Sequence, residues 1–185
     1  MAHINLPKDI PGIIGPMKAY PKTAKPLNAL AQVLLVDESL TLSKLDREII
    51  ASYVSFLNQC IFCSETHGAV ANAWAQKPGL AKSIWENPET TTALTDKMKA
   101  LMKIAASVQK DARTVSAEQV EKAKALGATD EDIHDTVLIA AAFCMFNRYV
   151  DGLSTLTPPR GFPGYVVMGE QLTKTGYVNA IVEQS

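Results

Sequence analysis

Residues 48–67 read Glu48-Ile-Ile-Ala-Ser-Tyr-Val-Ser-Phe-Leu-Asn58-Gln59-Cys60-Ile-Phe-Cys63-Ser-Glu-Thr-His67. Up to Leu57 the apolar residues recur at helical spacing, with Leu45, Ile49, Ile50, Tyr53, Val54 and Leu57 on one face. Asn58-Gln59 breaks that pattern and offers a cap. If one unbroken helix joined Glu48 to Cys60, they would lie about 18 Å apart and could not cooperate. A turn at Asn58-Gln59 instead folds the chain into an antiparallel helix hairpin. Glu48 lies ten residues before Asn58 and His67 nine after it, so the two return to the same level.

Outward from this hairpin nearly everything after Pro26 reads as helix. Asn28 to Val36 is short and apolar. Ser43 caps the helix that carries Glu48, with Asp46 three residues on. The Cys motif opens another helix, running to about Gln76. A short one from Pro78 to Glu86 ends before Pro88. Thr95 to Lys110 is amphipathic through Met98, Leu101, Met102 and Ala105. Ser116 caps a helix with Gln119 at its third position, and Gly127 ends it. Thr129 caps a long helix from Asp130 to about Asp151, and Gly161, Pro163 and Gly164 precede a last one near Tyr165 to Thr173. No stretch alternates as a strand would, so the fold class is all-α. Pro7, Pro11, Pro16, Pro21 and Pro26 recur every four or five residues. They predict an extended N-terminal arm over 1–26, either a loosely packed terminus or one that wraps a neighbouring subunit, followed by a single helical domain over 27–185.

A weak internal repeat appears at an offset of 84 residues, pairing 44–68 with 128–152 with five identities over 25 positions. Cys60-x-x-Cys63-x-x-x-His67-Gly68 faces Cys144-x-x-Asn147-x-x-x-Asp151-Gly152. The second copy keeps the frame and loses the cysteine pair, as a duplicated helical unit with one active half would.

With 185 residues, a net charge of -1 and 47% hydrophobic residues, the chain has the profile of an ordinary soluble domain with a full core. There is no basic excess for nucleic acid. No apolar run approaches the ~20 residues of a membrane span, and the first residues do not form a signal peptide. These features predict a cytoplasmic protein. Three cysteines do not make a secreted disulfide framework. In a reducing compartment a close pair points to redox chemistry or metal binding.

Two thiols three residues apart can close a disulfide without moving the fold. His67, four residues after Cys63, lies one helical turn away and can take its proton. Glu48 can orient that imidazole, giving a Glu48–His67–Cys63 relay. An imidazolium there would lower the Cys63 pKa from its reference of about 8.5. Cys60 has a different advantage, since the helix macrodipole at the start of its helix favours a thiolate. Spacing alone leaves open which thiol attacks. A zinc site would use Cys60, Cys63 and His67 and need a fourth ligand from Glu48, His134 or Cys144. Cys144 reads as a small core residue, His3 and His134 as surface, Trp74 and Trp85 as core or interface. Asn147 and Arg148 fit either a pocket lining or helix-to-helix hydrogen bonding.

Glu48-x11-Cys60-x2-Cys63-x3-His67 on helices resembles the alkylhydroperoxidase AhpD group of the carboxymuconolactone decarboxylase superfamily. The run Phe146-Asn147-Arg148-Tyr149-Val150-Asp151 is similar to its peroxidase-related branch. The resemblance spans roughly residues 28 to 156. It implies an AhpD-like helical bundle assembled as a trimer or hexamer, and reduction of hydrogen peroxide or organic hydroperoxides. It further implies Cys63 as the peroxidatic thiol and Cys60 as its resolving partner, with a protein or small-molecule dithiol recharging the pair and no cofactor or metal. AhpD itself carries a further histidine between its cysteines, where this chain has Phe62. The superfamily's true decarboxylases generally lack the cysteine pair. Two other readings remain open: a thiol–disulfide oxidoreductase, and a non-catalytic helical oligomer binding zinc or a ligand.

Overall fold

The structure is a computed structural model that describes residues 1–178, so the last seven positions of the expected 27–185 domain lie outside the described residues. Among the described residues there are nine α-helices and one 3₁₀ turn, and no strand, as the periodicity predicts. They are α1 (Ile14–Ala19), α2 (Pro21–Val36), α3 (Lys44–Leu57), α4 (Ile61–Trp74), α5 (Leu80–Glu86), α6 (Asp96–Asp111), α7 (Ala117–Ala125), α8 (Asp130–Gly152) and α9 (Gly164–Thr175). No helix among these residues is long and apolar enough to cross a membrane.

The caps lie where the sequence puts them. Ser43, Ser116 and Thr129 each accept a hydrogen bond from the backbone three residues on, and Ser116–Gln119 closes a full capping box. Gly127 ends the α7 segment at φ 91°. The core gathers α3, α6 and α8 around Ile50, Val54, Leu101, Ile104, Ile139 and Phe143. α3 and α4 pack as the expected hairpin, and α9 lies along α4. The α4–α9 approach is close enough that a Cβ on Gly169 would sit 2.7 Å from the Ala69 backbone.

The arm is corrected. Residues 14–19 and 21–36 are helical, so 1–26 is not extended. Prolines in a first turn cost little, because those N–H groups have no intrahelical partner. Pro16 is the third residue of α1 and Pro21 the first of α2. Pro26 alone lies deeper, and both it and Lys22, whose carbonyl it leaves without a helical donor, are exposed. The segment also packs on its own chain. Met17 is buried, Gly12 N–H donates to the Leu156 carbonyl at 2.8 Å, and Gly12, at φ 57°, leaves room for the Phe62 ring that a Cβ would overlap.

The 84-residue repeat holds in its helical frame but not in its chain path. The first stretch bends at Asn58–Cys60, whereas the second runs straight through α8. At the positions of Asn58 and Gln59 the second stretch carries Ala142 and Phe143, which continue the helix.

Candidate active site

The bend is a Schellman turn at the end of α3. Cys60 N–H donates to the Ser55 carbonyl at 3.0 Å and Gln59 N–H to the Phe56 carbonyl at 2.9 Å. Gln59 takes the left-handed position at φ 61°. Asn58 closes α3 rather than capping α4; Cys60 itself is the α4 N-cap residue, without a side-chain cap. Asn58 ties the turn to two other helices. Its Nδ2 donates to Asn147 Oδ1 on α8 at 2.8 Å, and its Oδ1 accepts from Gln109 Nε2 on α6 at 2.9 Å.

The hairpin brings Glu48 and His67 together as expected, with Nδ1 of His67 2.8 Å from Glu48 Oε2. Glu48 is 0% exposed. A carboxylate there accepts, so Nδ1 carries the proton and Nε2 is left as the basic nitrogen. The buried Arg47 guanidinium lies nearby and donates to the carbonyls of Leu34 and Asp37 at 3.2 and 2.8 Å.

A residue that sequence reading missed completes this pair. Tyr177, beyond the end of α9, donates its hydroxyl to Glu48 Oε1 at 2.6 Å and lies 3.1 Å from His67 Nδ1. Its ring stacks on the imidazole at 5.6 Å, while Phe143 meets the same imidazole edge-on at 4.6 Å. Gln32 of α2 accepts from the Tyr177 N–H at 2.7 Å and fixes the segment. Burial and the adjacent Glu48 carboxylate push the phenol well above its ordinary pKa, so it is a permanent donor. Its signal was slight: one tyrosine 110 residues from His67, in no motif.

Cys60 and Cys63 are free thiols, 0% and 3% exposed. They pack with Phe62, Val150 and Tyr165. The Cys63 thiol is held well above the usual cysteine range, first by its hydrogen bond with Cys60 and then by burial; Asn147, hydrogen-bonding to the sulfur, opposes this. The expected lowering by an imidazolium is therefore not what the resting pair exhibits. Of the two roles open in the sequence Asn147 takes helix-to-helix hydrogen bonding: its Nδ2 also donates to Ser55 Oγ of α3 at 3.0 Å. Arg148 is exposed and donates to the Cys144 carbonyl at 2.8 Å, away from the pair. Cys144 is half-buried, 3.6 Å from Asn58 Nδ2.

Cys63 and His67 open onto one cavity of about 230 Å³. Its wall is mainly apolar, from Ile13, Met17, Phe62, Phe146, Met168 and Leu172 among others, and among the described residues it includes neither lysine nor arginine. α1, α2 and α9 supply much of it, so the segment read as an arm encloses the site. Among the described residues no group of three or more His, Cys, Asp or Glu is arranged to hold a metal ion.

The family profile described as the carboxymuconolactone decarboxylase family matches residues 80–157. Solved structures share the fold. An uncharacterized peroxidase-related protein from Ralstonia eutropha JMP134, described as an alkylhydroperoxidase AhpD core, is 25% identical at a TM-score of 0.75, over 87% of this chain and 82% of that one. An uncharacterized peroxidase-related protein from Silicibacter sp. TM1040 is 24% identical at a TM-score of 0.75, over 85% and 79%. A protein of unknown function from Agrobacterium tumefaciens, suggested to be the antioxidant defence protein AhpD, is 22% identical at a TM-score of 0.69, over 86% and 100%. No functionally curated protein matches the sequence.

Proposed function

Since the chain belongs to the AhpD-like carboxymuconolactone decarboxylase superfamily, we propose that it is a thiol-dependent peroxidase working through Cys63 and Cys60. The observation that carries this reading is the meeting of Cys63, which is paired with Cys60, and a carboxylate-oriented imidazole at one small, mainly apolar cavity. His67 Nε2 takes the Cys63 proton, and the thiolate attacks the outer peroxide oxygen. The O–O bond breaks, Cys63 becomes a sulfenic acid, and the leaving alkoxide or hydroxide takes the proton from His67. Cys60 then condenses with the sulfenic acid, releasing water and leaving a disulfide. A dithiol of protein or small-molecule origin reduces it. The resting thiol is kept protonated by Cys60 and by burial, so the nucleophile forms only as His67 accepts the proton.

Decarboxylation of a carboxylate-bearing lactone fits less well: it calls for a cation to hold the acid group, and among the described residues no lysine or arginine lines the cavity. The same reading carries a cytoplasmic homo-oligomer on threefold symmetry, which sedimentation at micromolar concentration tests; a monomer would rule it out.

The central experiment is mass spectrometry of the reduced protein after limiting peroxide, with a sulfenic-acid trap present. The wild type should yield a Cys60–Cys63 disulfide with Cys144 still reduced, and Cys60→Ser a trapped sulfenic acid on Cys63. Thiols left intact while peroxide persists would sink the reading. A sulfenic acid found on Cys60 in Cys63→Ser, with His67 dispensable, would reverse the two cysteines.

A further inference from the structure

A bound peroxide needs a hydrogen-bond donor, and the relay has none to spare. His67 Nδ1–H is committed to Glu48, and its Nε2 is the acceptor for the Cys63 proton. The Tyr177 hydroxyl is donated to Glu48 Oε1 at 2.6 Å. The reaction puts its charge on the oxygen that leaves, inside a mainly apolar cavity where an unpartnered oxyanion is unfavourable. Resting on the peroxidase reading, we propose that Thr66 is the peroxide-binding residue of this site, its hydroxyl donating to the leaving oxygen while the Cys63 thiolate attacks the outer one.

Three observations support this. Cys63, Thr66 and His67 stand at i, i+3 and i+4 of α4, so they share one helix face, and all three line the same cavity. Thr66 is 4% exposed, so its hydroxyl faces the cavity rather than bulk water. Its direction also differs from that of the other buried helix hydroxyls. Ser52, Ser55, Ser64 and Thr136 each turn back onto a carbonyl three or four residues earlier. Thr66 turns outward and donates across to Met168 Sδ of α9 at 3.6 Å. Met168 lines the cavity too, which places that hydroxyl at its wall. A thioether is a weak acceptor, so a peroxide oxygen displaces it readily. The wall's amides, Asn28 of α2 and Gln171 of α9, are on helices other than the one that carries Cys63.

The step balances with Thr66 unchanged at its end. His67 Nε2 takes the Cys63 proton, and the thiolate sulfur attacks the outer peroxide oxygen. The S–O bond forms as the O–O bond breaks; Cys63 is oxidised to a sulfenic acid and the peroxide is reduced. The leaving oxygen, held by the Thr66 O–H, takes the proton from His67 Nε2 and departs as an alcohol or water. Thr66 keeps its own proton throughout and returns to Met168. One turn of α4 thus presents nucleophile, donor and proton carrier together.

The test uses the full chain as wild type, Thr66→Val and Thr66→Ser, with tert-butyl hydroperoxide as the probe. Stopped-flow oxidation of the reduced protein gives the single-turnover rate, and alkylation of Cys63 by iodoacetamide, read by mass spectrometry, is run beside it. Alkylation needs the same thiol and proton acceptor but breaks no O–O bond. Thr66→Val keeps the shape and removes the donor. It should slow oxidation by at least about tenfold and leave alkylation at the wild-type rate. Thr66→Ser keeps the hydroxyl and should recover most of the oxidation rate. Oxidation of Thr66→Val at the wild-type rate, or equal slowing of oxidation and alkylation, would overturn the role of Thr66 while the wild type still consumes peroxide. A wild type whose Cys63 is alkylated but ignores peroxide would reject the peroxidase reading, and the donor role with it.

Discussion

Residues 44–68 and 128–152 align in one frame, yet the first folds back on itself and the second runs straight. Where the first has Asn58-Gln59, the second has Ala142-Phe143. The bend is what makes a site. It returns His67 to Glu48 and places Cys60 and Cys63 at the start of α4. The straight helix carries no chemistry of that kind but supplies the surroundings. Phe143 braces the imidazole, and Asn147 ties the Asn58 turn and Ser55 of α3 to α8. One stretch holds the atoms proposed to react and the other packs around them.

The largest expected effects fall on the bent half. His67→Ala removes the base and should slow the first oxidation of Cys63 by roughly a hundredfold or more. Glu48→Gln leaves the imidazole in place without its carboxylate and should slow it less. Stopped-flow peroxide consumption with reduced protein reads both. If His67→Ala reacts as fast as wild type, the bend has no catalytic purpose and the comparison collapses to one of shape.

Much of this was legible in the sequence because it rests on local rules. Caps at Ser43, Ser116 and Thr129, the periodic faces and the Glu48–His67 level all follow from helix geometry. The failures are those of context. Helical prolines at 16, 21 and 26 are tolerated only by virtue of their position within a turn or their exposure, and spacing alone reveals neither. Tyr177 reaches Glu48 only because α9 lies along α4, a long-range packing no motif encodes. The raised Cys63 pKa arises from burial and from the Cys60 thiol, both set by the folded core.

Effects of intermediate size should separate the supporting groups. Tyr177→Phe keeps the ring stacked on His67 but deprives the buried Glu48 Oε1 of its donor. An unpartnered buried oxygen costs about 1–3 kcal/mol, so the first oxidation should slow by roughly tenfold; an unchanged rate and pH profile would reduce Tyr177 to packing. Cys60→Ala removes the main cause that holds the Cys63 thiol up. In the wild type the thiolate fraction, and with it the single-turnover rate, should still be climbing as pH passes the ordinary thiol value of about 8.5. Removing Cys60 should shift that rise to lower pH while abolishing repeated turnover. A profile unmoved by Cys60→Ala would assign the raised pKa to burial alone.

The smallest effect bears on the bend itself. Gln59 occupies the left-handed position of a Schellman turn, where glycine is the usual residue. A side chain in that conformation costs about 1 kcal/mol or more relative to glycine, and Gln59 is exposed, so its side chain offers little packing in return. Gln59→Gly should therefore stabilise the protein by about 0.5–1 kcal/mol, with glycine's larger unfolded-state entropy offsetting part of the relief. Gln59→Phe, which installs the residue found at the matching position of α8, should destabilise it, because a bulky side chain resists positive φ more strongly. Urea unfolding measures both, as a change in midpoint at constant slope. Neither variant touches the reacting groups, so peroxide consumption per folded molecule should stay at the wild-type level. A Gln59→Phe protein as stable as wild type would mean that the turn residues do not decide between the two paths, and that the packing of Asn58 against Asn147 and Gln109 does.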